Sequence, residues 1–187
     1  MKTKNIVIIA VIALILLILG GSCRNMYNKM VTLREQVSRE WANVENQYQR
    51  RLDLIPNLVN TVKGYAKHEQ EVFTRVVEAR ANATKVTLNA ENLTEENMQQ
   101  FRAAQGEVSS ALSRLLAVVE NYPDLKANQN FLELQSQLEG TENRIAVERR
   151  KYNETVTQYN SYIKGFPPLI FARMFGFSEK PYFNAES

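Results

Sequence analysis

The stretch from Tyr48 to Ala83 reads YQRRLDLIPNLVNTVKGYAKHEQEVFTRVVEARANA. Its apolar positions, Tyr48, Leu52, Ile55, Val59, Val62, Ala66, Phe73 and Val76, keep helical spacing, with Glu69 and Arg80 falling in the same register. A stripe of this kind covers one face of an α-helix. Pro56 stands in the middle of it, and a proline inside a helix removes a hydrogen bond and crowds the carbonyl four residues back, at a cost of about 3 kcal/mol. Two structures fit. One long helix kinks at Pro56, or the chain turns near Arg51 to Asp53 and a new helix starts with Asp53 as its cap and Pro56 in its first turn. The turn is the expected solution, because a helix of more than fifty residues needs a partner of equal length.

Upstream, Met30, Leu33, Val37, Trp41, Val44, Tyr48, Leu52 and Ile55 form the stripe of a first helix, A, on an eleven-residue repeat close to the helix period itself. The stretch after Pro56 is helix B, running to about Ala83 and fading through Thr84 to Asn92. Thr94 is the expected cap of helix C, with Glu95 and Glu96 at its positive end. Met98, Phe101, Gln105, Val108, Leu112, Leu115, Val119 and Tyr122 form its stripe on a heptad pattern, and Pro123 closes it. Helix D is expected from about Asn128 to Lys164, with Phe131, Leu134, Leu138, Thr141, Ile145, Glu148, Tyr152, Val156, Tyr159 and Ile163 on one face. Gly165-Phe166-Pro167-Pro168 stops it, Gly165 being a candidate left-handed cap. The fold class is therefore all-α, an up-and-down bundle of four long antiparallel helices.

Ahead of the bundle, no charge occurs from Asn5 through Cys23, and Ile6 to Leu19 is continuously apolar. A helix over those residues is roughly 28 Å long, close to the thickness of a hydrocarbon core. It reads as a membrane anchor. The strictly apolar part also has the length of a signal-peptide core, with small residues at Gly20-Gly21-Ser22, and Cys23 follows the run as a lipidated cysteine does, though with Gly20 where an aliphatic residue is usual. Basic residues flank the segment on both sides, Lys2 and Lys4 before it and Arg24, Lys29, Arg34 and Arg39 after it. Both orientations stay open on that pattern; an extracytoplasmic bundle is the working expectation. The domain plan is an anchor over 1–24, a bundle over 25–165 and an aromatic tail over 166–187.

In that plan the tail returns to the membrane surface, where Phe171, Phe175 and Phe177 with Arg173 have the composition of an interfacial segment. The competing reading is that these phenylalanines cover the base of the bundle. Polar residues within the stripes, Glu69, Arg80, Gln105 and Glu148, with Arg144 and Arg149 beside the last, are candidates for a polar layer in which a helix B charge pairs with helix D. Arg50, Arg51, Asp53, Pro56 and Asn57 gather at the expected A/B turn as candidates for partner binding.

Charge and residue types narrow the function. The 23 basic and 20 acidic residues, net +3, are dispersed, unlike the clustered basic footprint of a nucleic-acid binder, so no nucleic acid is expected. One cysteine and one histidine cannot form a Cys/His zinc site. His68 stands off the apolar stripe, no phosphate-binding glycine loop or nucleophile elbow occurs, and neither a cofactor nor an enzymatic activity is expected.

The segment RRLDLIPNLVNTVKGYAKHE, from Arg50, and the segment KYNETVTQYNSYIKGFPPLIFARMFGF, from Lys151 to Phe177, together resemble the LemA family over almost the whole chain. The resemblance implies an all-helical bundle anchored in a bacterial inner or cytoplasmic membrane, without an established enzymatic activity. Relatives have been linked to membrane organisation, including magnetosome membranes, and to neighbouring membrane proteases. The expected function is a self-associating scaffold whose partners are the lipid bilayer, further copies of the chain and a membrane protein, or else an accessory regulator of a membrane protease or envelope stress system.

Overall fold

The computed structural model describes residues 2–183. The helices are α1 (Lys2–Lys63), α2 (Gln70–Lys85), α3 (Glu95–Val119), α4 (Pro123–Lys126), α5 (Gln129–Lys164) and α6 (Pro168–Phe175), with a 3₁₀ turn at Ala90–Asn92 and no strand among the described residues. They divide into two compact units. One comprises the chain up to Val37 with Thr155–Lys180, the other Ser38–Glu154 with the residues from Pro181 onward.

The larger unit is an up-and-down bundle of α1, α2, α3 and α5. Cross-helix contacts fix the directions. Trp41 meets Phe101 and Arg51 bonds to Gln105, so α1 and α3 ascend together. Trp41 also meets Tyr152, Arg51 bonds to Glu142, and Asn128 bonds to Tyr65, so α5 descends against α1. Arg80 bonds to Leu52 and Trp41 donates to the Leu88 carbonyl at 2.9 Å, so α2 also descends. Val59, Phe73, Leu112, Leu115, Phe131 and Leu138 lie in the shared core.

The expected turn at Arg51 to Asp53 does not occur: α1 continues through Pro56 to Lys63. Proline removes the bond that residue 56 would donate to the Leu52 carbonyl, and the Arg80 guanidinium supplies a substitute, Nε donating at 2.9 Å. The turn comes instead at Gly64 to Glu69, where Tyr65 and Ala66 both donate to the Val62 carbonyl. Gly64 suits the site because a Cβ there would lie 3.3 Å from the Thr61 carbonyl oxygen. The stripe stays in phase across this turn, with Val62, Ala66 and Phe73 all buried, which is why periodicity alone ran through it. The objection that so long a helix lacks an equal partner also falls, since the apolar side chains over 6–18 are exposed and need none from the chain itself.

Other boundaries follow the sequence closely. Thr94 caps α3, its hydroxyl accepting from the Asn97 N–H at 3.2 Å, and the α3 stripe from Met98 to Val119 is buried. α3 ends at Val119, and Pro123 opens α4 at a position where no N–H is missed.

In the smaller unit, Met30, Leu33 and Val37 of α1 and Val156, Tyr159 and Ile163 of α5 are buried. Gly165 is not the left-handed cap: the positive-φ glycine is Gly176, at φ 74°, which ends α6 with the Phe177 N–H donating to the Ala172 carbonyl at 2.9 Å. Beyond it the chain runs extended beside α5, where the buried Asn160 side chain both donates to and accepts from Lys180 backbone, each at 2.9 Å. Tyr159 donates to the Ser178 carbonyl, also at 2.9 Å.

Candidate interaction sites

The polar centre of the bundle is Arg51, 2% exposed. Its guanidinium donates from Nη2 to Gln105 Oε1 at 2.7 Å and to the Gln105 carbonyl at 2.9 Å. From Nη1 it donates to Ser109 Oγ at 2.8 Å and Glu142 Oε1 at 3.0 Å, with the Tyr48 ring 5.0 Å away. Arg51 thus ties α1 to α3 and α5. Because Gln105 and Arg51 are both buried, each supplies what the other would lack, while Glu142 sits at the solvent edge. Only Nε of Arg51 has no acceptor.

This is a cross-bundle ion pair, but its two charges are not those the stripes suggested; of the polar stripe residues, Gln105 takes part. Glu69 lies in the turn before α2 and accepts from the Tyr122 hydroxyl at 3.4 Å, joining the two turns at that end of the bundle. Arg80 is occupied with the Leu52 carbonyl. Arg144 is exposed. Glu148 is half-buried and takes the Lys151 ammonium at 2.9 Å, a hydrogen bond and charge that hold this lysine above its usual range. Arg149 lies 4.2 Å over the Phe183 ring. The missed member was Arg51, since on the sequence it belonged to an exposed corner. Its place one residue before Leu52, beside the stripe, was the available signal.

Of the partner-binding candidates, Arg50, Asp53, Pro56 and Asn57 are exposed and share one side of α1. Arg51 is not available to a partner. Asp53 accepts from Gln49 at 2.8 Å, an ordinary helical pair.

Phe183 was not anticipated as core. It is 2% exposed and lies within 6.5 Å of the Trp41, Tyr48 and Phe101 rings. Asn153 fixes it through both backbone groups, each bond 2.7 Å, and Tyr152 donates to the Pro181 carbonyl at 2.8 Å. In the smaller unit, Phe175 and Phe177 meet Tyr27 edge-on at 5.1 and 5.8 Å, and Arg34 lies over Phe177. Phe171 is half-buried, and Arg173 is exposed.

His68 is exposed, and no group of three His, Cys, Asp or Glu able to hold a metal occurs among the described residues. An open groove of about 430 Å³ lies between α3 and α5, lined by Leu112, Leu116, Leu138, Glu142 and Asn143 among others.

A bundle whose first helix carries, at its start, a segment long and apolar enough to cross a membrane defines a membrane-associated helical protein. The LemA family model matches residues 40–187, and the chain belongs to the LemA family. It is similar to the magnetosome protein MamQ 2 of Paramagnetospirillum magneticum, 29% identical over 175 residues that cover 84% of this chain and 64% of the relative. The magnetosome protein MamQ of Magnetospirillum gryphiswaldense is 27% identical with the same coverage. The protein LemA of Metamycoplasma hominis is 21% identical over 139 residues, 74% of this chain and 60% of the relative. The chain thus spans less than two thirds of the length of these relatives.

Proposed function

We propose that the protein is a single-pass, membrane-anchored scaffold that self-associates and arranges its partners at a bacterial inner membrane. The observation that carries this reading is the continuity of α1, in which one helix holds both the exposed apolar segment and the core residues Trp41, Val44, Leu52 and Ile55. An apolar segment and bundle core residues carried on one helix, with no linker between them, suit a membrane-anchored scaffold. Likeness to proteins named for the magnetosome supports a role in organising a membrane. Light scattering on detergent-extracted protein tests self-association: discrete oligomers at micromolar concentration are expected, and monomers alone would overturn it. Labelling Cys23, the only cysteine, with a membrane-impermeant reagent on intact cells tests the extracytoplasmic placement.

A second reading, an accessory subunit of a membrane protease or stress system, rests on the exposed row Arg50, Asp53, Pro56 and Asn57. Affinity purification with Arg50→Ala/Asp53→Ala should then lose a specific partner, and an unchanged set of partners removes this surface.

A further inference from the structure

Among the described residues outside the apolar start of α1, large exposed apolar side chains in the bundle occur singly, as at Val77, Leu132 and Val147, which is ordinary for a protein surface. The smaller unit differs. Phe166 is 84% exposed, Ile170 56% and Met174 63%, and they follow one another at four-residue intervals into and along α6. Ile170 and Met174, four apart on α6, stack on one face, and Phe166 is exposed in the turn just before the helix. Pro168 and Ala172 on the opposite side are buried. The exposed Arg173 projects beside the same face.

The position of this face follows from Tyr27, whose ring meets those of Phe175 and Phe177. Tyr27 stands four residues beyond Cys23, where the charge-free run of α1 ends. Four residues of helix advance about 6 Å. A bilayer of about 40–45 Å with a hydrocarbon core of about 30 Å has a headgroup layer of roughly that depth on each side. With the apolar run spanning the core, Tyr27 and α6 lie among the headgroups. Arg24 and Lys29, both exposed, bracket Tyr27 with the charge that phosphate favours.

We infer that α6 is an interfacial helix, inserting Phe166, Ile170 and Met174 at the headgroup and acyl boundary while Arg173 reaches phospholipid phosphate. This rests on the membrane-anchored reading and sharpens it. The sequence pointed to Phe171, Phe175 and Phe177 as the lipid contacts; the exposed side chains are instead Phe166 in the turn before α6 and Ile170 and Met174 on it. A bilayer suits this face better than a second copy of the chain, because a few side chains on eight residues fall well short of the roughly 1,000 Å² that a specific protein interface buries. Long basic side chains at such a boundary keep the stem in apolar surroundings and the charge in the polar layer.

The test uses the full chain with Cys23→Ser and single cysteines at Ile12→Cys, Met174→Cys or Ser136→Cys. Each is labelled with an environment-sensitive fluorophore and reconstituted in phosphatidylcholine/phosphatidylglycerol vesicles containing nitroxide lipid. The labels at 12 and 174 should lose most of their fluorescence, and the label at the exposed position 136 should not. Quenching at 12 without quenching at 174 overturns the interfacial helix and leaves the anchor standing. No quenching at either position overturns both. A label at 174 that is shielded from water yet unquenched, and becomes exposed on dilution with excess lipid, assigns the face to a second copy and overturns the proposal.

Discussion

Arg80 Nε lies 2.9 Å from the carbonyl oxygen of Leu52, the acceptor that Pro56 leaves without its helical donor. The bond spans 28 positions of sequence and joins α2 to α1 where α1 is weakest. A charged donor to a part-buried carbonyl contributes about 1.5–3 kcal/mol. Arg80→Ala should therefore destabilise the bundle by about that amount, seen as a lower denaturant midpoint. In a Pro56→Ala background, where the chain itself supplies the N–H, the same substitution should cost clearly less. Equal costs in both backgrounds would show that the two residues are not coupled.

Arg51 should be the most sensitive charged position. Its removal breaks four hydrogen bonds at once and strands the Gln105 side chain in the core, each buried polar group left unpaired costing about 1–3 kcal/mol. Glu142→Gln should cost no more than about 1 kcal/mol, because Glu142 is 44% exposed and its charge is screened. Arg51→Lys should rescue little, since an ammonium cannot span the separate acceptors on α3 and α5. Guanidinium unfolding of the three variants, followed by circular dichroism, checks the order.

Phe183 closes the aromatic cluster of Trp41, Tyr48 and Phe101. Phe183→Ala should destabilise the larger unit by about 3–5 kcal/mol, the range for emptying a buried aromatic site. Trp41 fluorescence should change as well, since its ring loses a stacked neighbour. A variant with native stability and an unchanged Trp41 spectrum would place Phe183 outside the core.

Tyr152 predicts an alkaline limit. Burial first, and the Glu95 carboxylate second, push its hydroxyl well above the ordinary value of about 10. The fold holds the neutral form, so this stability is fully present below pH about 10 and is lost as pH rises above it. Tyr152→Phe should lower stability near neutral pH by about 1 kcal/mol through the lost bond to Pro181, yet flatten the decline above pH about 10. An identical alkaline slope in the variant would assign the decline to other groups.

What the sequence by itself determined is the set of features written locally. The apolar run before Arg24, the Thr94 cap and the stripes of α1, α3 and α5 follow from propensity and period, and each lies where the spacing put it. Tertiary structure decided the features that depend on residues far apart. Pro56 stays inside a helix because a guanidinium from α2 reaches its orphaned carbonyl, and no local rule places Arg80 there. Arg51 is buried because Gln105, Ser109 and Glu142 converge on it from two other helices. Phe183 is core because three rings leave it a site, although its neighbours in sequence show no periodicity. Helical period encodes which face of a segment avoids water. It does not encode which distant polar group satisfies a buried donor or acceptor, because in the low-dielectric interior that pairing is set by geometry across the bundle.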